Sequence, residues 1–295
     1  MDGALARLLN GVIDYAGLFP PASLSMEAAV DNYIKYRSGS QAWILDRFVC
    51  SSKRLVELQE ILSKRTVGTA IPVSVVGGSL DDWGEGLEFD AKAMTRFVEG
   101  VGSSADIEAF EIRLPNDDGI QGYLKDLRAF NQVEVFCEVP LGSQIEETLG
   151  LIAEEEWLGA KARTGGLDAS AFPSCESLAV FLQQCVQLEL SFKLTAGLHH
   201  PVRGYRDEVG TRMHGFLNVL VATAMITAHD LSTKQVVEIL ASERPSDFQL
   251  EGLRAQFGEW IATVEDIEDA RSLFMGIGSC SIEEPIEDLA SLKLL

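Results

Sequence analysis

Two lysines, Lys161 in the run GAKARTGG and Lys193 in the run FKLTAGLHHPVR, each stand near the end of a short apolar segment. Side chains of an extended strand alternate between faces, so Lys161 shares a face with Arg163, and Lys193 shares one with Thr195. A parallel strand covered on both faces reads as a continuous apolar run, so ionisable residues inside one need partners or a wet cavity. A lysine buried beside Arg163 or a second lysine is expected to have a depressed pKa, and a neutral amine is a nucleophile toward carbonyl carbon. Two earlier segments extend the set with Glu111 and Arg113 in FEIRLP and with Glu138. Ion pairs of Glu111 with Arg113 and of Glu138 with Arg163, merely filling the interior, are the structural alternative.

Other residue types suggest other chemistry. His199, His200 and His214 fall within 16 residues of one another, beside Asp207 and Glu208. Histidine and carboxylate sets bind divalent metal, but this spacing matches no HExxH-type motif. His199 or His200 as a general acid or base is a further option, because imidazole titrates near neutral pH. Asp14, in DYAGLFPPASL, is placed either for proton transfer or as the cap of a turn. In GIGSCS, Gly276 and Gly278 allow backbone N–H groups to approach an anion ahead of a helix N-terminus, while a plain strand-to-helix turn is the structural alternative. The following acidic run, Glu283, Glu284, Glu287 and Asp288, opposes a strongly charged ligand unless it faces away.

Apolar, β-branched segments alternate with stretches of helical periodicity, the pattern of repeated strand-helix units. The expected strands are Val12 to Gly17, Trp43 to Cys50, Pro72 to Val76, Ala109 to Leu114, Glu134 to Val139, Gly159 to Arg163, Phe192 to Ala196 and Phe274 to Ile277. Between them lie helical patterns, several opened by a serine suited to N-capping. Eight strands in strict alternation, with no GxGxxG turn after the first, predict a closed (β/α)8 TIM barrel, residues 1–295 forming one domain. The cadence breaks after the seventh strand, where about 75 residues replace the roughly 30 of a βα unit. A helical insertion over 204–270 is expected there, with helices at Gly215 to Ala228, Ser232 to Ser242 and around Leu253 to Val264. It is read as a cap over the barrel mouth or as an oligomer surface. Catalytic groups of such barrels lie at the C-terminal ends of the strands, where the charged residues cluster.

The 24 basic against 45 acidic residues give a net charge of −21, which repels nucleic acid and anionic membranes. Five cysteines without a CxxC pair suggest neither a disulfide framework nor a cysteine zinc site, and fit a reducing cytoplasm. No basic, apolar leader opens the chain and no run of about 18 apolar residues occurs, so export and membrane spanning are not expected. The absence of a GxSxG elbow and of a P-loop disfavours serine hydrolase and nucleotide-phosphate chemistry.

GAKARTGG, FKLTAGLHH and FMGIGSCS resemble the sixth-, seventh- and eighth-strand segments of class I aldolases of the deoxyribose-phosphate aldolase type. The similarity spans fewer than 35 residues of the 295. It implies that Lys161 forms a Schiff base and that Lys193 tunes its pKa. It implies too that Gly276, Gly278, Ser279 and Ser281 hold a substrate phosphate. Arg163 replaces a small residue of that family, His199 and His200 are additional, and the late insertion is large. The fourth strand reads FEIRLP where the family carries an acidic proton-relay residue.

The leading expectation is therefore a lyase acting on a small carbonyl compound, phosphorylated or not, through a lysine imine and with no cofactor. In it Lys161 attacks, Lys193 and Arg163 lower its pKa, and Glu138, Asp14, His199 or His200 move protons. Glu111, Arg113, Thr164, Thr195 and Arg203 join the glycines and serines as substrate-binding candidates. The competing readings are a metal-assisted isomerase or hydrolase using His199, His200, His214 and Glu208, and a non-catalytic binding barrel. The expected partner is a small molecule, anionic ones included, with self-association open.

Overall fold

Eight parallel strands close on themselves: β1 (Ile13–Tyr15), β2 (Leu45–Ser51), β3 (Ile71–Val76), β4 (Ala105–Arg113), β5 (Glu134–Glu138), β6 (Leu158–Arg163), β7 (Phe192–Thr195) and β8 (Phe274–Ser279). The computed structural model describes residues 3–65, 67–78, 82–117 and 119–295. Each strand pairs with its neighbour in sequence, and β8 pairs with β1 to complete a (β/α)8 TIM barrel. Every expected strand is present. The fourth begins four residues earlier than its apolar run, because Ile107 continues the alternation past the exposed Asp106.

The helices are α1 (Ala4–Leu9), α2 (Met26–Arg37), α3 (Leu55–Leu62), α4 (Trp83–Val101), α5 (Ile120–Asp126), α6 (Ile145–Ile152), α7 (Cys175–Gln187), α8 (Phe216–Ala228), α9 (Thr233–Ala241), α10 (Val264–Leu273) and α11 (Glu283–Ser291). Ser25 caps α2 by accepting from the Ala28 N–H, and Ser174 caps α7 by accepting from Ser177. A side-chain oxygen there satisfies a donor that the first helical turn leaves unpaired. Ser143 has no such role, since α6 starts after Gln144 without a side-chain cap. Among the described residues no helix is long and apolar enough to cross a membrane.

The insertion after β7 corrects the all-helical expectation. Its first two helices occur as α8 and α9, but the third stretch, around Leu253 to Val264, folds into antiparallel strands Arg254–Phe257 and Trp260–Thr263, flanked by Phe248–Gln249. Gly258, at φ 58°, opens the two-residue turn, a conformation that costs glycine nothing. Ala255 and Ala262, paired across the hairpin, are both buried, so the segment follows a strand's period of two. The helix comes only afterwards, as α10, set by a capping box between Thr263 and Asp266. A second hairpin, Gly204–Arg206 with Thr211–Met213, precedes α8. Helix α8 is buried from Phe216 to Met225 and packs against α7, α9 and α10, so most of the insertion thickens the wall; the hairpin before α8 is the part of it that reaches the mouth.

Barrel and insertion share one continuous apolar core. Phe192 anchors it at the start of β7, stacking on Phe274 at 4.8 Å and meeting Phe181 of α7 edge-on at 5.7 Å. Phe192→Ala is expected to destabilise the fold by about 3 to 5 kcal/mol, the usual cost of removing a fully buried aromatic ring. Urea unfolding measures it, and a loss under 1 kcal/mol contradicts this packing.

Candidate functional site

Strand register puts Glu138 beside Lys161, Lys161 beside Lys193, and Lys193 beside Gly276 across β5, β6, β7 and β8. Both lysines point into the barrel near its C-terminal end and are nearly fully buried, at 5 % and 2 % exposure. Three carboxylates surround them. Glu111 of β4 bridges the pair, with Oε2 2.8 Å from Lys161 Nζ and Oε1 2.6 Å from Lys193 Nζ. Glu138 Oε2 lies 3.0 Å from Lys161, and Asp14 of β1 contacts Lys193. The Ser74 hydroxyl of β3 donates to Glu111 Oε1 at 2.5 Å, and Lys193 Nζ stands 5.2 Å from the centre of the Phe136 ring.

This arrangement reverses the expected titration of the lysines. Burial alone lowers both, but Glu111 and Glu138 around Lys161, and Asp14 and Glu111 around Lys193, outweigh it and leave both above the ordinary 10.5. Each amine has carboxylates as its nearest charges, where the sequence suggested Arg163 or the other lysine. Burial likewise pushes Glu111 up, and the Lys161 and Lys193 ammonium groups overcome it to hold the carboxyl well below the usual carboxylate range. Ion pairs of Glu111 with Arg113 and of Glu138 with Arg163 give way to these lysine pairs.

Above the cluster opens a cavity of about 520 Å³. Lys161, Lys193, Glu111, Glu138, Arg163, Thr195, His199, His200, Glu208 and Gly278 all line it. The loops after β6 and β7 are drawn together at its edge. Gly197 adopts φ 75°, and a Cβ there would fall 2.8 Å from the Thr164 carbonyl oxygen, so RTGG and TAGL meet backbone to backbone.

Several expected binding residues are used otherwise. Arg113 is exposed and outside the lining, and the Arg203 N–H donates to Asn218 Oδ1 beneath the hairpin. Thr164 is buried, its hydroxyl donating to the Ala196 carbonyl. Ser279 is buried and donates to the Ser281 carbonyl at 2.6 Å, while Ser281 Oγ accepts from the Glu284 N–H at the start of α11. Gly276 lies against β1, where a Cβ would be 3.0 Å from the Val12 carbonyl oxygen. Its bareness makes room beside Lys193 and Asp14, a different task from holding an anion.

The histidines part company. His199 Nδ1 is 3.0 Å from Glu284 Oε2 and His200 Nδ1 is 2.6 Å from Asp288 Oδ2, and neither Nε2 has a hydrogen-bond partner among the described residues. Hydrogen bonding to His199 holds Glu284 below its ordinary value. His214 is buried outside the lining with Nε2 on the Pro173 carbonyl at 2.8 Å, and burial pushes it down to about 4. Among the described residues no three His, Cys, Asp or Glu side chains have the geometry of a metal site.

Ser74, Cys280, Met213 and the pairing role of Glu284 were not found by sequence reasoning. Ser74 left a trace as the single polar residue of IPVSVV; the others depend on loop conformation. No protein-family model and none of the curated proteins compared with the chain matches it.

The charge cluster dictates how stability responds to pH. Glu111's contribution is complete above its ordinary 4.5 and is lost as pH falls below it, because the folded value is depressed. That of the lysines is complete below 10.5 and is lost as pH rises through their raised folded values. Glu111→Gln, which removes the carboxylate shared by two buried ammonium groups and leaves each with a single carboxylate, is expected to cost about 3 to 5 kcal/mol at neutral pH. It should also flatten the acid limb of a plot of urea midpoint against pH; an unchanged limb rejects the bridge.

Proposed function

We propose that the protein is a lyase of the aldolase type that forms an imine between Lys161 and a small carbonyl compound. The observation that carries the reading is the pair of buried lysines, joined through Glu111, at the floor of a cavity at the catalytic end of a TIM barrel. The resemblance noted in the sequence adds weight, since the acidic residue it implies on the fourth strand has a candidate in Glu111.

Lys161 must lose a proton before it attacks. Glu138, 3.0 Å away, is its acceptor because it has no second ammonium to neutralise, whereas Glu111, 2.8 Å away, is held ionised between the two lysines. The neutral amine adds to the carbonyl carbon, and the carboxyl returns its proton to the departing hydroxyl, which leaves as water. The resulting iminium withdraws electrons as the bond between the α- and β-carbons breaks, while a base takes the proton of the β-hydroxyl. His199 and His200 suit that step, each oriented through Nδ1 by a carboxylate with Nε2 free. An aldehyde leaves, the enamine takes up a proton at carbon, and water hydrolyses the imine. Lys193 stays charged throughout, paired with Asp14, and keeps Glu111 ionised.

Cyanoborohydride with a panel of aldehydes and ketones is expected to reduce an adduct onto Lys161, located by peptide mass spectrometry. Lys161→Met should abolish it, and Glu138→Gln should slow its formation on the order of a hundredfold, the usual worth of one general acid-base group. Absence of any adduct at Lys161 across the panel removes the imine mechanism.

A further inference from the structure

The charge and wall chemistry of the cavity bear on which carbonyl compounds it would take, and this second reading rests on the imine chemistry proposed above. Four carboxylates line it, Glu111, Glu138, Glu208 and Glu284, against three permanent cations, Lys161, Lys193 and Arg163. Both lysines are already engaged by carboxylates. Arg163 has no carboxylate partner among the described residues, and it projects from the same face of β6 as Lys161. Register sets it beside Thr195, on the next inward rung above the lysine pair and about 7 Å along the strand from Lys161.

A doubly charged phosphate is poorly served here. The carboxylates outnumber the cations, Glu284 stands at the lining, and Ser279 and Ser281 are taken up by the turn into α11. A single carboxylate fits one guanidinium, whose forked donors match two oxygens in a plane. The remaining wall is apolar, built from Phe19, Pro21, Val76, Leu167, Val209 and Met213. We infer that the substrate is a carbonyl compound bearing one carboxylate on a body that is apolar apart from the β-hydroxyl that cleavage requires. Arg163, with the Thr195 hydroxyl beside it, holds that carboxylate one rung above the reacting amine. Arg163 is thus a specificity determinant and has no part in the bond-breaking steps.

The test compares cyanoborohydride trapping at Lys161 for succinic semialdehyde, butanal and glyceraldehyde 3-phosphate, in the unaltered protein and in Arg163→Gln and Arg163→Lys. Arg163 is exposed at the rim, so both variants are expected to fold, and circular dichroism checks it. Succinic semialdehyde should half-saturate at the lowest concentration. Arg163→Gln should raise that concentration by about tenfold or more, as loss of a charge-assisted hydrogen bond does, with Arg163→Lys recovering part of it and butanal unaffected. Equal trapping of succinic semialdehyde and butanal, or a preference for glyceraldehyde 3-phosphate, overturns the carboxylate assignment and leaves the imine standing. No adduct at Lys161 with any of the three overturns both.

Discussion

Burying an ammonium group is costly unless carboxylates come with it, and the interior of this barrel is organised around meeting that condition twice. Glu111 gives one oxygen to each lysine, and Glu138 and Asp14 complete the two shells. Because the acids and amines arrive from β1, β4, β5, β6 and β7, the cluster exists only when the barrel is closed. Its three acids and two amines carry one net negative charge when all are ionised, so a proton can move within it without creating an isolated charge. That property suits the imine chemistry proposed for Lys161, in which the amine loses and regains a proton.

The surroundings divide the labour. Gly276 withholds a side chain where Lys193 and Asp14 need space, and Phe136 offers its ring face to the same ammonium. At the rim, two imidazoles are tied by carboxylates to the last helix, which fixes their orientation while leaving one nitrogen of each unencumbered. The hairpin before α8 contributes Glu208, Val209 and Met213 to the mouth, so a short piece of the insertion is the part nearest the lysine cluster.

The barrel was legible in the sequence because eight short apolar segments separated by helical periods leave few other closures. The lysines and Glu138 were legible for the opposite reason: charged residues in buried strands violate the apolar pattern and need an explanation. What escaped were features set by partners. Lys161 and Lys193 announced a shared site, but the sign of their pKa shift hung on Glu111 and Asp14 converging from strands far away in sequence. Residues 253–264 read as helix because their apolar residues fit either period, and the turn at Gly258 decided between them. The segment with Ser279 and Ser281 read either as an anion site or as a plain strand-to-helix turn, and their hydroxyls serve the start of α11, a local competition that spacing does not decide.

Arg47 on β2 connects this chemistry to the other end of the cylinder. Its side chain is buried at the N-terminal end of the barrel, paired with Glu134 at 2.6 Å and Glu108 at 3.2 Å, and its backbone N–H donates to Asp14 Oδ1 at 3.0 Å. Asp14 therefore answers to two masters, a guanidinium-anchored strand below and an ammonium above. The face of the barrel usually reserved for structural support is thus wired through Asp14 to Lys193, the amine that shares Glu111 with Lys161, so a change at Glu108 or Glu134 would be felt at the opposite pole.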